Sequence, residues 1–292
     1  MDNLRGAGLM VLAMLGFALE DMLIKFMAAS VSIGQIVIML GVGSAALLAV
    51  ILRVRGDLLF SADMWHPAIA LRAAGELIGT IGFVTAIALT PLSSASAILQ
   101  ATPLFVTLGA ALFLQEAVGW RRWLAILVGF AGVLLIIRPG TEGFDWYSLF
   151  ALQGVFGLGV RDLATRRVPP QTSSLQLSFL AFLVLIPAGA ILLWTGSGAL
   201  TPLTPALWAF FTAALLIGIV AYYAIVAAMR VGEISFVTPF RYSRILFALI
   251  IGVGVFGETP DALTLLGAAI IVGSGLYTLW RERIRRAAAV AL

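Results

Sequence analysis

The sequence predicts an all-α integral membrane protein: ten transmembrane helices arranged as two inverted five-helix repeats. Three observations carry this. Ten stretches hold about 20 mostly apolar residues each, the length an α-helix rising 1.5 Å per residue needs to cross a hydrocarbon core about 30 Å thick. Positive charge falls in every second gap between them, and the pattern of the first half returns in the second. A hydrophobic fraction of 62%, a charged fraction of 11% and a mean hydropathy of +1.09 leave too little polar surface for a water-facing shell.

Taken in order, the first span covers about residues 5–27 behind Arg5. It is too long, and lacks the cleavage site, to be a removed signal peptide, and is read as a retained helix. The second, about 34–52, stops at Arg53 and Arg55. The third, about 67–89, starts beside His66 and ends at Thr90-Pro91, and the fourth, about 93–114, contains Pro103 and ends at Gln115-Glu116. The fifth, about 121–138, begins at Arg121 and Arg122 and turns at Arg138-Pro139-Gly140. The sixth, about 145–165, is closed by Arg166, Arg167 and Pro169-Pro170, and the seventh, about 173–195, is followed by Thr201-Pro202. The eighth, about 205–229, ends at Arg230; the ninth, about 233–256, contains Pro239; the tenth, about 260–280, ends in Arg281, Arg283, Arg285 and Arg286. The intervening gaps carry no Lys or Arg apart from Arg138. By the positive-inside rule both termini are cytoplasmic, and a bacterial cytoplasmic membrane is the expected location. Trp65, Trp120, Trp123, Trp146, Trp194, Trp208 and Trp280 sit at span ends like an interfacial belt.

The repeat has a spacing of roughly 140 residues, giving units 1–140 and 141–292. Glu20-Asp21 with Lys25 is answered by Arg161-Asp162 with Arg166, and Phe83 with Ala88-Leu89 by Tyr223 with Ala228-Met229. Gln115-Glu116 is answered by Gly257-Glu258, and Gly132-Val133 by Gly275-Leu276. Five helices per unit is an odd number, so the second unit enters the membrane from the opposite side. That is the inverted-repeat plan of many secondary transporters.

The run Ala88-Leu89-Thr90-Pro91 into Ser93-Ser94-Ala95-Ser96-Ala97, then Thr102-Pro103-Leu104-Phe105, Glu116 and Gly129 to Val133, resembles the EamA type of the drug/metabolite transporter superfamily. The second unit is similar through Gly232-Glu233-Ile234-Ser235, Gly257-Glu258, Gly267-Ala268-Ala269 and Gly273 to Leu276. The look is that of bacterial exporters of amino acids and related metabolites, including the YddG-type aromatic amino-acid exporters. Arg241-Tyr242-Ser243-Arg244 departs from the apolar stretch more usual there. The resemblance implies an exporter of small amphipathic metabolites working by alternating access, with aromatic amino acids as cargo.

Charges at membrane depth are costly and usually face the bundle interior. Lys25, Arg72 and Arg161 lie near span ends, where long stems can snorkel. Arg241 and Arg244 lie about 12 to 17 Å into the ninth span. Their i, i+3 spacing shares one face, so they either hold a cargo carboxylate jointly or pair with an acid such as Glu20 or Glu76. Asp21 is assigned to a pair with Lys25 at i+4. Glu20 is then the acid free to protonate or to bind a cargo amino group. Glu76 has Arg72 at i−4 as a neutralising partner, while Glu116 and Glu258 at span ends suit solvated or capping roles.

Gln100 is the one amide at depth in the fourth span. Pro103 frees the carbonyl of Leu99, and Pro239 frees that of Ser235. Broken helices at equivalent positions of two repeats point to a transporter binding site, or else the prolines only shape the helices. Phe83, Tyr222, Tyr223, Phe240 and Tyr242 either line a cavity for a flat cargo or pack the bundle. Gln100, Arg241, Arg244, Tyr242, Phe83, Tyr223 and Glu20 are the expected cargo contacts. Gly75, Gly79, Gly82, Gly154, Gly157 and Gly159 suit close helix approach.

There is no cysteine and one histidine, which excludes disulfides, thiolate catalysis and Cys- or His-rich metal centres. No P-loop or redox-cofactor motif is present, so no cofactor and no ATP-driven pumping is expected. Twelve of the eighteen cationic residues are accounted for by topology, so a nucleic-acid partner is not expected either. The expected partners are a small-molecule substrate and the lipid bilayer. Drug-type efflux of lipophilic cations, a channel and a membrane-embedded enzyme are the competing readings.

Overall fold

A computed structural model describes residues 2–113, 115, 119–141, 144–196, 199–231 and 237–290. Among these the chain is all-helical: α1 (Asp2–Ala28), α2 (Ile33–Val54), α3 (Pro67–Leu89), α4 (Leu92–Leu99), α5 (Thr102–Phe113) and α6 (Trp120–Ile137). Then follow α7 (Ser148–Thr165), α8 (Ser174–Thr195), α9 (Pro205–Val231), a 3-10 turn (Thr238–Tyr242), α10 (Ser243–Phe256) and α11 (Ala262–Val290). Eight helical segments of the described residues are long and apolar enough to cross a membrane, and Trp123–Ile137 is a shorter apolar one. α7 is not among the eight; Gln153, Arg161 and Asp162 interrupt its apolar run. The tryptophans expected at an interface are exposed, Trp280 inside α11 and the others at or near helix ends. His66 starts α3 as its N-cap, with Nδ1 accepting from the Ala68 N–H at 3.2 Å.

The most extensive packing joins α1 to α9, α3 to α7, α2 to α8 and α6 to α11, and α4 lies against α10. Each pair takes one helix from residues 1–140 and one from 141–292. Exchanging the two halves maps this set of pairs onto itself. Small residues set the approach, because apolar lipid gives helices no hydrophobic reason to associate and close packing must hold them. On α3 and α7, a methyl added to Gly82 would sit 2.6 Å from the Phe150 carbonyl, and one added to Gly157 would strike the Gly79 backbone. Gly34 with Gly189 does the same for α2 and α8, and Gly132 with Gly267 for α6 and α11.

The fourth span, expected as one helix over about 93–114, is interrupted at Gln100-Ala101 between α4 and α5. Pro103 has no N–H for the Leu99 carbonyl. That carbonyl is not left uncommitted as expected: the Thr102 hydroxyl donates to it at 2.6 Å. The ninth span is broken in a related way, passing from the 3-10 turn containing Pro239 into α10. Residues 232–236 lie outside the described residues, and with them Gly232, Glu233 and the Ser235 carbonyl. So does Glu116. Arg138 ends α6 in the left-handed region at φ 52° and pairs with Asp261 at the start of α11. The Arg138 guanidinium, then the Thr264 N–H, hold the Asp261 carboxyl well below the usual carboxylate range.

Gly157→Ala is expected to lower stability by about 1–3 kcal/mol, because backbone rather than a yielding side chain blocks the methyl. Gly254→Ala, whose methyl would meet nothing within 4 Å, should be neutral or gain up to roughly 0.8–1.0 kcal/mol from helix propensity. Thermal unfolding in detergent separates the two; equal losses would contradict the packing described.

Candidate substrate cavity

A cavity of about 490 Å³ lies between the two halves. α1 offers it Met14, Phe17, Glu20, Asp21 and Ile24, one helical stripe, while α3 offers Arg72, Glu76, Thr80 and Phe83. The α4–α5 break adds Gln100, α7 adds Arg161 and Asp162, α8 adds Ser178 and Phe182, and α9 adds Tyr222. Arg241 and Arg244 come from the 3-10 turn and α10.

Two ion pairs of this cavity, Arg244 with Asp21 and Arg161 with Glu76, join helices of opposite halves. Arg244 Nη2 meets Asp21 Oδ2 at 2.6 Å. Its guanidinium lies over the rings of Phe17 and Phe83, 5.4 and 5.1 Å from their centroids. Arg161 reaches Glu76 at 3.2 Å and Asp162 at 2.9 Å. Arg72 is 3.8 Å from Glu76 and donates to the Tyr222 hydroxyl at 3.2 Å. Arg241 is 3.7 Å from Asp162, and its main-chain carbonyl accepts from Gln100 Nε2 at 3.1 Å. Gln100 therefore ties the two broken helices to each other.

The cavity starts inside the bundle, at Ile24, Val37 and Val84, and runs toward the end where α7 finishes and α8 begins. It extends to Thr165, exposed at the end of α7, and to Ser174 at the start of α8. The other end is closed by a clasp. Lys25 donates to the carbonyls of Ile87, at 3.1 Å, and Thr90 at the C-terminal end of α3. Glu258 accepts from the N–H groups of Leu92 at 2.5 Å and Ser93 at 3.0 Å, and from the Ser93 hydroxyl at 2.7 Å. A cation thus sits on the negative end of one helix dipole and an anion on the positive end of the next. The two are 3.8 Å apart. Gly257, at φ 65°, turns the chain back so that Glu258 reaches α4.

Of the expected cargo contacts, Gln100, Arg241, Arg244, Phe83 and Glu20 line this cavity. Tyr223 does not: it is 62% exposed on the outer face of α9. Neighbouring helix residues diverge by about 100°, and it is Tyr222 that turns inward. Tyr242 is also displaced. Its ring is buried and its hydroxyl is pressed against Gly275 of α11, away from the cavity. Asp21 does not pair with Lys25 as expected; Lys25 lies at the outer clasp and Asp21 takes Arg244. Nor do Glu20 and Glu76 serve Arg241 and Arg244, since Asp162 and Asp21 do. Arg72 and Arg161 enter ion pairs instead of snorkelling. Glu258 is the helix cap its position suggested. Asp162, Phe17 and Phe182 were missed. The repeat match of Asp21 to Asp162 was the signal for the first; nothing in the apolar runs around the two phenylalanines marked them.

The EamA-like transporter family model matches residues 4–138 and again 145–280. The chain belongs to the EamA-like transporter family. Similar proteins include a riboflavin transporter from Vibrio cholerae, 28% identical over 293 residues and covering 97% of this chain and 96% of that one. An S-adenosylmethionine uptake transporter from Rickettsia bellii is 27% identical, covering 73% and 72% of the two chains. The pseudopaline exporter CntI from Pseudomonas aeruginosa is 28% identical, covering 91% and 93%. The family and the apolar helices together make this a multi-pass membrane protein and a small-molecule transporter of the drug/metabolite superfamily.

Asp21→Asn leaves Arg244 buried without its anion and is expected to cost about 3–5 kcal/mol of stability. Asp21→Asn with Arg244→Gln should recover part of that loss, whereas Tyr223→Ala should change little. Denaturant unfolding of the three purified variants provides the comparison, and a harmless Asp21→Asn would contradict the pairing.

Proposed function

We propose that the protein is a secondary transporter of the cytoplasmic membrane that exports a small amphipathic solute bearing a planar ring, with aromatic amino acids as the preferred cargo. One observation carries the reading: a cavity between the two halves, closed at one end by the Lys25–Glu258 clasp and reaching the surface at the other. Its volume of about 490 Å³ falls in the ~300–1,000 Å³ range of small-molecule sites. Phe17, Phe83, Phe182 and Tyr222 supply apolar faces for a ring, and the ionisable groups supply a polar end.

The double match of the family model and the exchange-invariant packing support two repeats. With both termini on the cytoplasmic side, as the arginine pattern requires, those repeats are inverted and alternating access follows. The cavity mouth at Thr165 and Ser174 then faces the cytoplasm, beside Arg166 and Arg167, and cargo loads from inside. Closing that end and parting the clasp at the other would release it outside.

A second reading, favoured by the relatives named for riboflavin and S-adenosylmethionine, replaces the amino acid with a larger solute that also carries a planar heteroaromatic ring. Counterflow in proteoliposomes decides between them. Vesicles preloaded with unlabelled phenylalanine should accumulate labelled phenylalanine saturably, and riboflavin or S-adenosylmethionine preloads should drive little. Exchange driven by riboflavin or S-adenosylmethionine alone would replace the amino-acid reading with the second one.

A further inference from the structure

We propose that the cavity sorts a zwitterion by its two ends, with Glu20 the subsite for the cationic group and Arg241 the subsite for the carboxylate, while Arg244 is a strut that takes no cargo. This rests on the transport reading above and goes further by assigning each pole of the cargo to a residue.

The charges of the lining give the reason. Four acids, Glu20, Asp21, Glu76 and Asp162, face four arginines, Arg72, Arg161, Arg241 and Arg244. The total balances, but its distribution does not. Asp21 and Arg244 form a closed pair at 2.6 Å, and the Arg244 guanidinium is further occupied by two aromatic faces. Its Nε carries no hydrogen bond but is buried, so the guanidinium is enclosed between Asp21 and the two rings and offers a cargo carboxylate no open fork. The remaining three arginines share Glu76 and Asp162, an excess of one positive charge. Arg72 is nearly enclosed and already bonded to Tyr222, and Arg161 already holds two acids. Arg241 has the most exposed side chain of the four, 29%, and, among the described residues, one acid, at 3.7 Å. Its forked donors are therefore the accessible ones, in the geometry a carboxylate accepts.

Glu20 is the opposite pole. Among the described residues it makes no hydrogen bond and no ion pair, although it lines the cavity. Its carboxylate lies against Gly218 of α9, where an added methyl would come within 2.5 Å of Oε1. A carboxylate at membrane depth without a cation is costly, and a cationic cargo group relieves that cost. Glu20 precedes Asp21, and Arg241 stands one turn before Arg244, so the neutral strut connects the two poles. A zwitterion satisfies both at once, whereas a simple cation leaves Arg241 unmatched and a simple anion leaves Glu20 unmatched.

The test uses three ligands that share a ring: phenylalanine, phenethylamine, which lacks the carboxylate, and 3-phenylpropionate, which lacks the ammonium. Titration calorimetry on purified wild type should give phenylalanine at least a tenfold advantage over each of the others. In Glu20→Gln the advantage over 3-phenylpropionate should disappear while that over phenethylamine persists. In Arg241→Gln the reverse should hold. Glu20→Asp, which keeps the charge, should retain both advantages and controls for folding. Unchanged ratios in both variants, or an equal loss of both in each, would overturn the assignment of poles alone. Failure of wild type to bind any of the three would overturn the aromatic amino-acid cargo, and the assignment with it.

Discussion

Charge at membrane depth has to be neutralised inside the protein, and here much of that neutralisation runs across the boundary between the two halves. Asp21 with Arg244, Glu76 with Arg161 and Lys25 with Glu258 each join one residue from the first 140 to one from the remainder. So do the Arg72–Tyr222 and Gln100–Arg241 hydrogen bonds. Arg72 has Glu76, and Arg161 and Arg241 have Asp162, within one half, but the ion pairs of Asp21, Arg244, Lys25 and Glu258 among the described residues all cross to the other half, and an unpaired ion in hydrocarbon costs several kcal/mol. The halves are held together by that requirement as much as by the glycine contacts. The same contacts are spread over both ends of the bundle, so a motion that breaks those at one end leaves those at the other intact.

That distribution connects packing to function. At the clasp, Lys25 and Glu258 bind the ends of α3 and α4 through main-chain groups those helices leave unsatisfied. Such bonds tie four segments at one point without long side-chain interdigitation. Every group involved can be solvated, so water can replace these bonds. Toward the mouth, Arg241 and Asp162 form a more exposed pair than the clasp does. The broken helices lie between these two regimes. At Gln100-Ala101 the helix tightens, the Ala101 N–H donating to the Ile98 carbonyl at 3.0 Å, while the Thr102 hydroxyl serves the Leu99 carbonyl and the Gln100 side-chain amide serves the Arg241 carbonyl. Irregular backbone at membrane depth is tolerated where it borders a cavity, and that is where it occurs.

Much of the fold was legible because membrane crossing imposes length and charge rules that act locally. Helix existence, the tryptophan positions, the broken fourth and ninth spans and the close-packing glycines could all be read from residue type and spacing. The cavity was legible in part. Five of the seven expected contacts line it, because polar residues at depth have few places to go. The partners were not legible. An i, i+4 rule paired Asp21 with Lys25, but helix rotation turned Asp21 toward α10 and left Lys25 at the end of α3. Rotation likewise exchanged Tyr223 for Tyr222. Such angles are set by contacts between helices far apart in the chain, which no local pattern encodes. The spacing read from the sequence held a clue left unused: it sets Asp162 against Asp21, and each meets an arginine of the Arg241–Arg244 turn.

Side-specific thiol labelling tests the central claim most directly, that one cavity faces one side at a time and is shut at the other by the clasp. The chain has no cysteine, so a single Thr80→Cys, on the cavity wall of α3, reports without background. A membrane-impermeant maleimide should label it in oriented vesicles from the side bearing Arg166 and Arg167 and not from the other. Adding Lys25→Met should open labelling from the second side. Equal labelling from both sides without that change would mean a continuous pore, and would contradict an alternating cavity.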